Sequence, residues 1–308
     1  MEATTKALQE RLFSDRQGAL TAICLFPAVA IIGALICVPA VASLVLSFSD
    51  MGPDLRAAHW STDNYARLFA GDPRLGAIIA QTVIYATVTT ALFGVGLALA
   101  VALASYVAPA GAAGVIQALW LAPRILPGVV YAMIWGWAAD PGGPLSAAAQ
   151  GLGLGPDVRL SAPLAFVILA TGLASVSFGM IVFTAALRSL PADLIQAARI
   201  DGARAFHILT DVILPHLRPA IIVVAVSQIL SLLGAFQLIL LLTEGGPNFE
   251  STVYAQYIYR RAFEDGLYGY GAALSSVLVI VGVVITALAW RRLKRAGFLT
   301  AGRIEPEA

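Results

Sequence analysis

Charge is scarce in this chain. Only 12% of its 308 residues are charged, and two alone are lysine, Lys6 and Lys294, so no polybasic face exists to hold nucleic acid or an acidic lipid surface. The three histidines, His59, His207 and His216, stand in no HxxxH or HExxH spacing, and no metal site is expected. The two cysteines, Cys24 and Cys37, share one apolar run; thirteen helical residues set them about 20 Å apart, beyond disulfide reach. Neither lysine completes a GxxxxGK[ST] phosphate loop, so any ATP-driven step needs another chain. The long apolar runs contain no Asp, Glu or His. That removes the paired acids or Ser/His sets of a membrane-embedded enzyme. It also removes the intramembrane carboxylates on which a secondary transporter, the more serious rival, usually depends, and no paired inverted repeat replaces them. No signal-peptide cleavage pattern precedes the first apolar run, which is too long for a leader and is expected to stay as an anchor.

Apolar residues are what the chain has in excess: 59% are hydrophobic and the mean hydropathy is +0.84. A membrane helix needs about 20 apolar residues, and a charge at bilayer centre costs several kcal/mol, so charge-free stretches mark the crossings. They fall at 17–49, 75–123, 160–187, 219–243 and 266–290, the second interrupted by the turn-forming Val107–Gly114. Six helices are therefore expected, at about 19–46, 76–106, 115–138, 163–186, 219–242 and 269–291, in an all-α membrane protein that forms one bundle. Twelve Lys and Arg lie on the side of the two tails and of the segment around 187–218, against six on the other, with Arg291–Arg295 contributing most strongly. The excess of positive charge puts both termini in the cytoplasm. The expected organisation is a tail at 1–18, a transmembrane domain at 19–293 and a tail at 294–308.

One internal segment is too charged to cross and too apolar to be a solvated linker. Pro191 and Asp193 suit a first helical turn, the helix bends at Asp201-Gly202, and a second helical piece carries Phe206, Ile208, Leu209 and Val212 as far as Pro215. Leu194, Ala198, Ala205, Ile208, Leu209 and Val212 share one face at helical spacing, and that face needs a cover, either this chain's own helix ends or another protein.

The stretch Leu190–Pro219 resembles the cytoplasmic EAA loop of ABC importer permeases, with Gln196-Ala197-Ala198, Gly202 and Ile213-Leu214-Pro215 in the order of that motif and Gln196 in place of the family glutamate. A neutral amide there can hydrogen-bond but cannot form an ion pair. The resemblance implies a MetI-like type I importer bundle with its core at about 75–291. It also implies a coupling loop at 188–218 in which Gln196, Ala197, Ala198, Asp201, Gly202, Ala203, Leu214 and Pro215 meet a separate ATP-binding subunit. Leu242–Phe263, "LTEGGPNFESTVYAQYIYRRAF", is similar to the outer-loop signature of carbohydrate permeases, of the MalF/UgpA-like kind, although by chemistry alone Gly245-Gly246-Pro247 reads as a tight turn and Tyr254, Tyr257 and Tyr259 as an interfacial belt.

The resemblance further implies a bacterial inner-membrane, multi-pass permease that imports a sugar or sugar derivative, with an ABC permease for another solute as the alternative. It implies a MalG-like mate, two ATP-binding cassettes that bind the ATP and magnesium, and an extracytoplasmic solute-binding protein met at Gly245, Gly246 and Pro247; no cofactor is held by this chain, and lipid surrounds it. On the fifth span Ser227, Ser231 and Gly234 form an arc flanked by Gln228 and Gln237, and Ser175, with Thr171 and Ser177, stands on the fourth; each could equally line a sugar path or bond a neighbouring helix. Arg124 lies within the third span between Pro123 and Pro127. It reads as an ion pair with the mate, as a donor to carbonyls freed by the prolines, or as the counter-charge of an anionic sugar.

Overall fold

The computed structural model describes residues 21, 23–54, 59–153 and 155–295. The expected tail at 1–18, the start of the first span and most of 294–308 lie outside the described residues. Among the described residues five helices are long and apolar enough to cross a membrane: α1 (Ile23–Leu46), α3 (Leu75–Val107), α7 (Pro163–Arg188), α9, whose range is Ala205–Gly234, and α12 (Tyr268–Arg295). Two further apolar helices, α4 (Ala110–Ile125) and α5 (Gly128–Ala139), meet at a bend of 100°, the geometry of a broken sixth span or of a re-entrant loop. Shorter helices fill the connections: α2 (Asp63–Ala70), α6 (Pro144–Gly151), α8 (Ala192–Ile200), α10 (Gln237–Thr243) and α11 (254–264).

Three expectations need correction. The turn after the second span occupies only Ala108 and Pro109, because Pro109 forces its predecessor into an extended conformation (ψ 151) and Ala110 then starts a new helix. The third span is not one straight helix. Pro127 has no N–H to bond back and holds Leu126 extended (ψ 136), which ends α4 there. The second surface helix does not end at Pro215 with a separate fifth span starting at 219. The chain runs as one helix from Ala205, with a wider π turn over Ile208–Ile213 and Pro215 in the first turn of the resumed α-helix, where a missing N–H costs little.

The centre of the bundle is the packing of α3, α7 and α9, where Ala98, Val101, Ala102, Val176, Met180, Phe183, Leu187, Leu217 and Val224 are buried together. The approach of α3 to α7 depends on Gly179: a Cβ there would lie 2.2 Å from the Gly94 carbonyl oxygen and 2.7 Å from the Ala98 Cβ. Small residues permit this closeness, and close backbones gain dispersion contacts that lipid would otherwise supply. By contrast α1 has no buried residue and stands against α12 near its exit. It is tied there by the Ser47 and Tyr65 hydroxyls (2.7 Å) and by Asn64 Nδ2, which donates to the carbonyls of Ser47 and Ser49. One end of the bundle carries the loops 47–74, 140–162 and 244–267; the opposite end carries the corner 189–204.

Candidate functional site

Two helix breaks face the same space. The first is Leu126-Pro127, between α4 and α5; the second is Ala235-Phe236, between α9 and α10, where both residues leave the helical conformation although neither is proline. A cavity of about 500 Å³ lies between them, lined by Pro123, Leu126 and Gly128 from the first break, by Gln237 and Leu241 from the second, and by Ala174 of α7. Interrupted helices around a cavity are tolerated in a membrane because the freed backbone groups need not meet hydrocarbon. Tyr131 closes one wall, and its hydroxyl is occupied in donating to the Ala170 carbonyl at 2.6 Å. Gln237 is exposed on the lining and makes no hydrogen bond among the described residues.

The polar residues of the fourth and fifth spans divide into two groups. Gln228 is 7% exposed and its Nε2 donates to the Ser175 carbonyl at 2.7 Å, while the Ser175 hydroxyl donates to the Gly172 carbonyl; both residues tie α7 to α9 or to itself. Gln228 also fills the space opposite Gly94. Ser177 donates to the Trp120 carbonyl of α4, and Thr171 lies 3.4 Å from the Tyr85 hydroxyl. Ser227, Ser231 and Gly234 form an exposed arc along α9, on a face this chain leaves uncovered. Arg124 is in the last turn of α4, exposed, with its guanidinium carbon 5.9 Å from the Phe178 ring centroid and no ion pair among the described residues.

At the opposite end, α8 and the start of α9 make a corner. Gly202 has φ +78, and the Gly202 and Ala203 amides close the end of α8 on the carbonyls of Arg199 and Ala198. Ile195, Ala198, Ala203 and Leu209 pack on the core beside buried Ile208 and Ile213. Leu194, Ile200 and Phe206 point away from it, with 50%, 86% and 70% of their surfaces exposed. The single apolar face expected from spacing is therefore split, because the turn at Gly202 rotates the two helices relative to one another; Leu194 and Ala205 are exposed and Ile195 takes the inner position. Gln196, Ala197 and Asp201 are exposed alongside Ile200, whereas Leu214 and Pro215 are half-buried within α9.

The third region is the loop end. The segment after α10 turns through five residues of positive φ, Glu244, Gly245 and Gly246 before Pro247 and Asn248 and Phe249 after it. It is bonded inward: the Ser251 amide and the Thr252 hydroxyl both donate to the Gly245 carbonyl, and the Tyr254 amide donates to Thr82 Oγ1 of α3. Gly245 is buried, Gly246 half-buried and Pro247 exposed, so of these three it is Pro247 that forms the tip. The expected belt is corrected as well: Tyr254 and Tyr257 are 6% and 1% exposed, and Tyr259 stacks on Phe236 at 5.2 Å. Their hydroxyls explain the burial, since Tyr254 donates to the Leu274 carbonyl and Tyr257 to Asp72.

Asp72 gathers this end together. Its Oδ2 accepts from Tyr257 and from Tyr270 (2.8 Å), and its Oδ1 accepts from the Arg74 amide at 3.1 Å. Burial pushes the Asp72 pKa up, but the two tyrosine hydroxyls, the Arg74 amide and the charge of Arg261 outweigh it and leave the carboxyl below its ordinary value. Arg261 donates to the Tyr257 hydroxyl (2.6 Å) and to Asp265 (2.8 Å). Nothing local in the sequence announces this cluster, since Asp72 and Tyr257 are 185 residues apart.

These features define an all-helical, multi-pass membrane protein with discontinuous helices around an open cavity and an apolar corner at one end. The chain belongs to the family of binding-protein-dependent transport system inner membrane components, whose family model matches residues 69–295. It is therefore a membrane component of such a system, and not the ATPase. It is 30% identical over 264 residues to the xylose/arabinose import permease protein XacH of Haloferax volcanii, covering 83% of this chain and 82% of that one. It is 32% identical over 175 residues to the multiple sugar-binding transport system permease protein MsmF of Streptococcus mutans, covering 54% of this chain and 59% of that one. The matched part thus spans about three fifths of the length of several curated relatives. Its fold is similar to that of a chain in a bacterial ABC transporter involved in the import of the acidic polysaccharide alginate, with a TM-score of 0.78, 22% identity and coverage of 92% of this chain and 99% of that one.

Proposed function

We propose that this chain is the MalF/UgpA-like translocation subunit of an ATP-driven importer for a sugar or sugar derivative, paired with a second permease, two ATP-binding subunits and a solute-binding protein. The observation that carries the reading is the cavity of about 500 Å³ at the two facing helix breaks. Gln237 supplies a free amide on its lining, and the exposed arc of Ser227 and Ser231 on α9, although not part of that lining, offers hydroxyls to replace water lost by a polyol. Relatives named for multiple sugars and for xylose and arabinose support the solute class. The corner at Gly202, with Gln196, Ile200 and Phe206 outward, suits the docking of an ATP-binding subunit at the cytoplasmic end. Closure of the two cassettes on ATP opens the cavity outward to accept solute from the binding protein, and hydrolysis returns it inward.

Arg124 makes the solute anionic in this reading. Its guanidinium has no carboxylate among the described residues and lies 5.9 Å from the Phe178 ring centroid, and the residue follows the cavity-lining Pro123 in the chain. The test uses the assembled transporter in proteoliposomes with its binding protein, comparing uptake of labelled neutral and uronate-containing oligosaccharides. Wild type is expected to accept the acidic sugar, and Arg124→Gln to lose at least about tenfold of that uptake, about 1.4 kcal/mol. Undiminished uptake of the acidic sugar by Arg124→Gln refutes the assignment; uptake of neither sugar class by wild type refutes the sugar reading.

A further inference from the structure

The loop end holds a second pocket that shares no lining residue with the cavity at the helix breaks. It encloses about 400 Å³ among Arg74, Asn248, Phe249, Arg260, Arg261 and the carboxylates Glu264 and Asp265. Phe249 sits at φ +66, a backbone conformation that bulky side chains rarely adopt. Its ring receives two guanidiniums, Arg74 at 4.3 Å and Arg260 at 4.9 Å from the ring centroid. Backbone strain of this kind persists where the surroundings impose it and gathers at binding sites.

Stacking on a ring fixes an arginine without using its N–H donors. The Arg74 guanidinium makes no hydrogen bond or ion pair among the described residues, since only its backbone amide reaches Asp72. Arg260 pairs with Glu264 through its Nε at 3.3 Å, and its two terminal nitrogens make no hydrogen bond among the described residues. Arg261 spends its two terminal nitrogens on Asp265 and Tyr257. Two immobilised guanidiniums with unspent donors therefore border one opening, and guanidiniums outnumber carboxylates on its lining. Their planar forks match a carboxylate, which can accept two parallel hydrogen bonds.

We propose that this pocket receives an acidic side chain, Asp or Glu, of the solute-binding protein when that protein docks; the proposal rests on the importer reading above. A lipid headgroup fits poorly, because none of the lining residues is aliphatic. The solute has its own cavity elsewhere. The pocket lies beside Pro247 and Asn248, the exposed tip of the loop, so a protein resting on that tip places a side chain within reach. Gly246, which also lines the pocket, is held in place by its closeness to Ser251 and Pro163.

The experiment measures the affinity of the purified binding protein for the complete transporter in nanodiscs, by surface plasmon resonance at several salt concentrations. Arg74→Gln combined with Arg260→Gln is expected to weaken binding about tenfold at low salt and to flatten its salt dependence. Arg74 is exposed, so Arg74→Gln alone tests the pocket without disturbing a core, and Arg74→Lys, which keeps the charge but not the fork, is expected to fall between. Arg159→Gln, on another loop of the same end, controls for general charge and is expected to bind as wild type does. Unchanged affinity of the double variant, an equal loss in Arg159→Gln, or a loss seen only in nanodiscs with anionic lipid overturns the proposal. So does unimpaired docking with lost uptake, which would assign the pocket to solute. Absence of any binding by the wild-type complex would instead refute the importer reading itself.

Discussion

Gly179→Ala adds one methyl group where α3 and α7 touch, and the structure allows its cost to be worked out. The new Cβ would stand 2.2 Å from the Gly94 carbonyl oxygen and 2.7 Å from the Ala98 Cβ, and both obstacles belong to a helix backbone or its first carbon, which no rotamer change can remove. The helices must part by about 1 Å, and that loosens the packing around Ala98 and Val176, which are fully buried beside them. Overpacking of this kind costs about 1–3 kcal/mol. At about 2–4 °C per kcal/mol for a chain of this size, the melting midpoint should fall by roughly 2–12 °C. The assay is thermal unfolding of the protein in nanodiscs, followed by intrinsic tryptophan fluorescence. Gly114→Ala is the matched control: nothing lies within 4 Å of its Cβ position in α4, and alanine in a helix gains up to about 1 kcal/mol over glycine. Opposite signs for the two substitutions are expected. An unchanged or raised midpoint for Gly179→Ala would refute the close-contact account of the core.

At the corner that we propose couples to the ATP-binding subunits, a Cβ on Gly202 meets nothing within 4 Å, but φ is +78, so valine there costs about 1–2 kcal/mol of backbone strain whereas asparagine tolerates the conformation. Gly202→Val should lower solute transported per ATP hydrolysed far more than Gly202→Asn does; equal impairment would show that side-chain volume at the surface, not the backbone, is what counts. At the loop end, the Asp72 pKa is depressed, so its stabilising contribution is complete above the unfolded value of about 3.9 and disappears as pH falls through the lower folded value. The difference in melting midpoint between wild type and Asp72→Asn should therefore be constant near neutrality and shrink below about pH 4; a difference that stays constant to about pH 3 would show that the charge of Asp72 is not what holds the loops.

Much of the fold is legible in a chain so apolar, since the absence of charge over about 20 residues leaves few alternatives to a membrane helix. Four of the expected spans agree with α3, α7, α12 and the described part of α1 to within a few residues. The third and fifth were misread as unbroken. Pro127 signals its own break, but it stands beside Pro123, which α4 contains without ending, so a proline alone does not reveal which of two positions bends. The break at Ala235-Phe236 has no proline to announce it. The corner at Gly202 was readable because an Asp-Gly pair between helix-forming stretches is a local signal. The assignment of Gln228 and Ser231 to different surroundings was not, because a helix presents its polar residues by angle alone and only the neighbouring helices determine which angle is inside.

Composition and spacing by themselves thus determined a helical membrane protein of five or six spans with a bent surface segment, because hydropathy and local turn chemistry act over a few residues. The tertiary structure alone decided which breaks meet around one cavity, which polar residues are spent on neighbouring helices, and that Asp72, Phe249 and the arginines of α11 come together at one end. Those are contacts between residues far apart in the chain, and their energies depend on distance and burial, which no local pattern encodes.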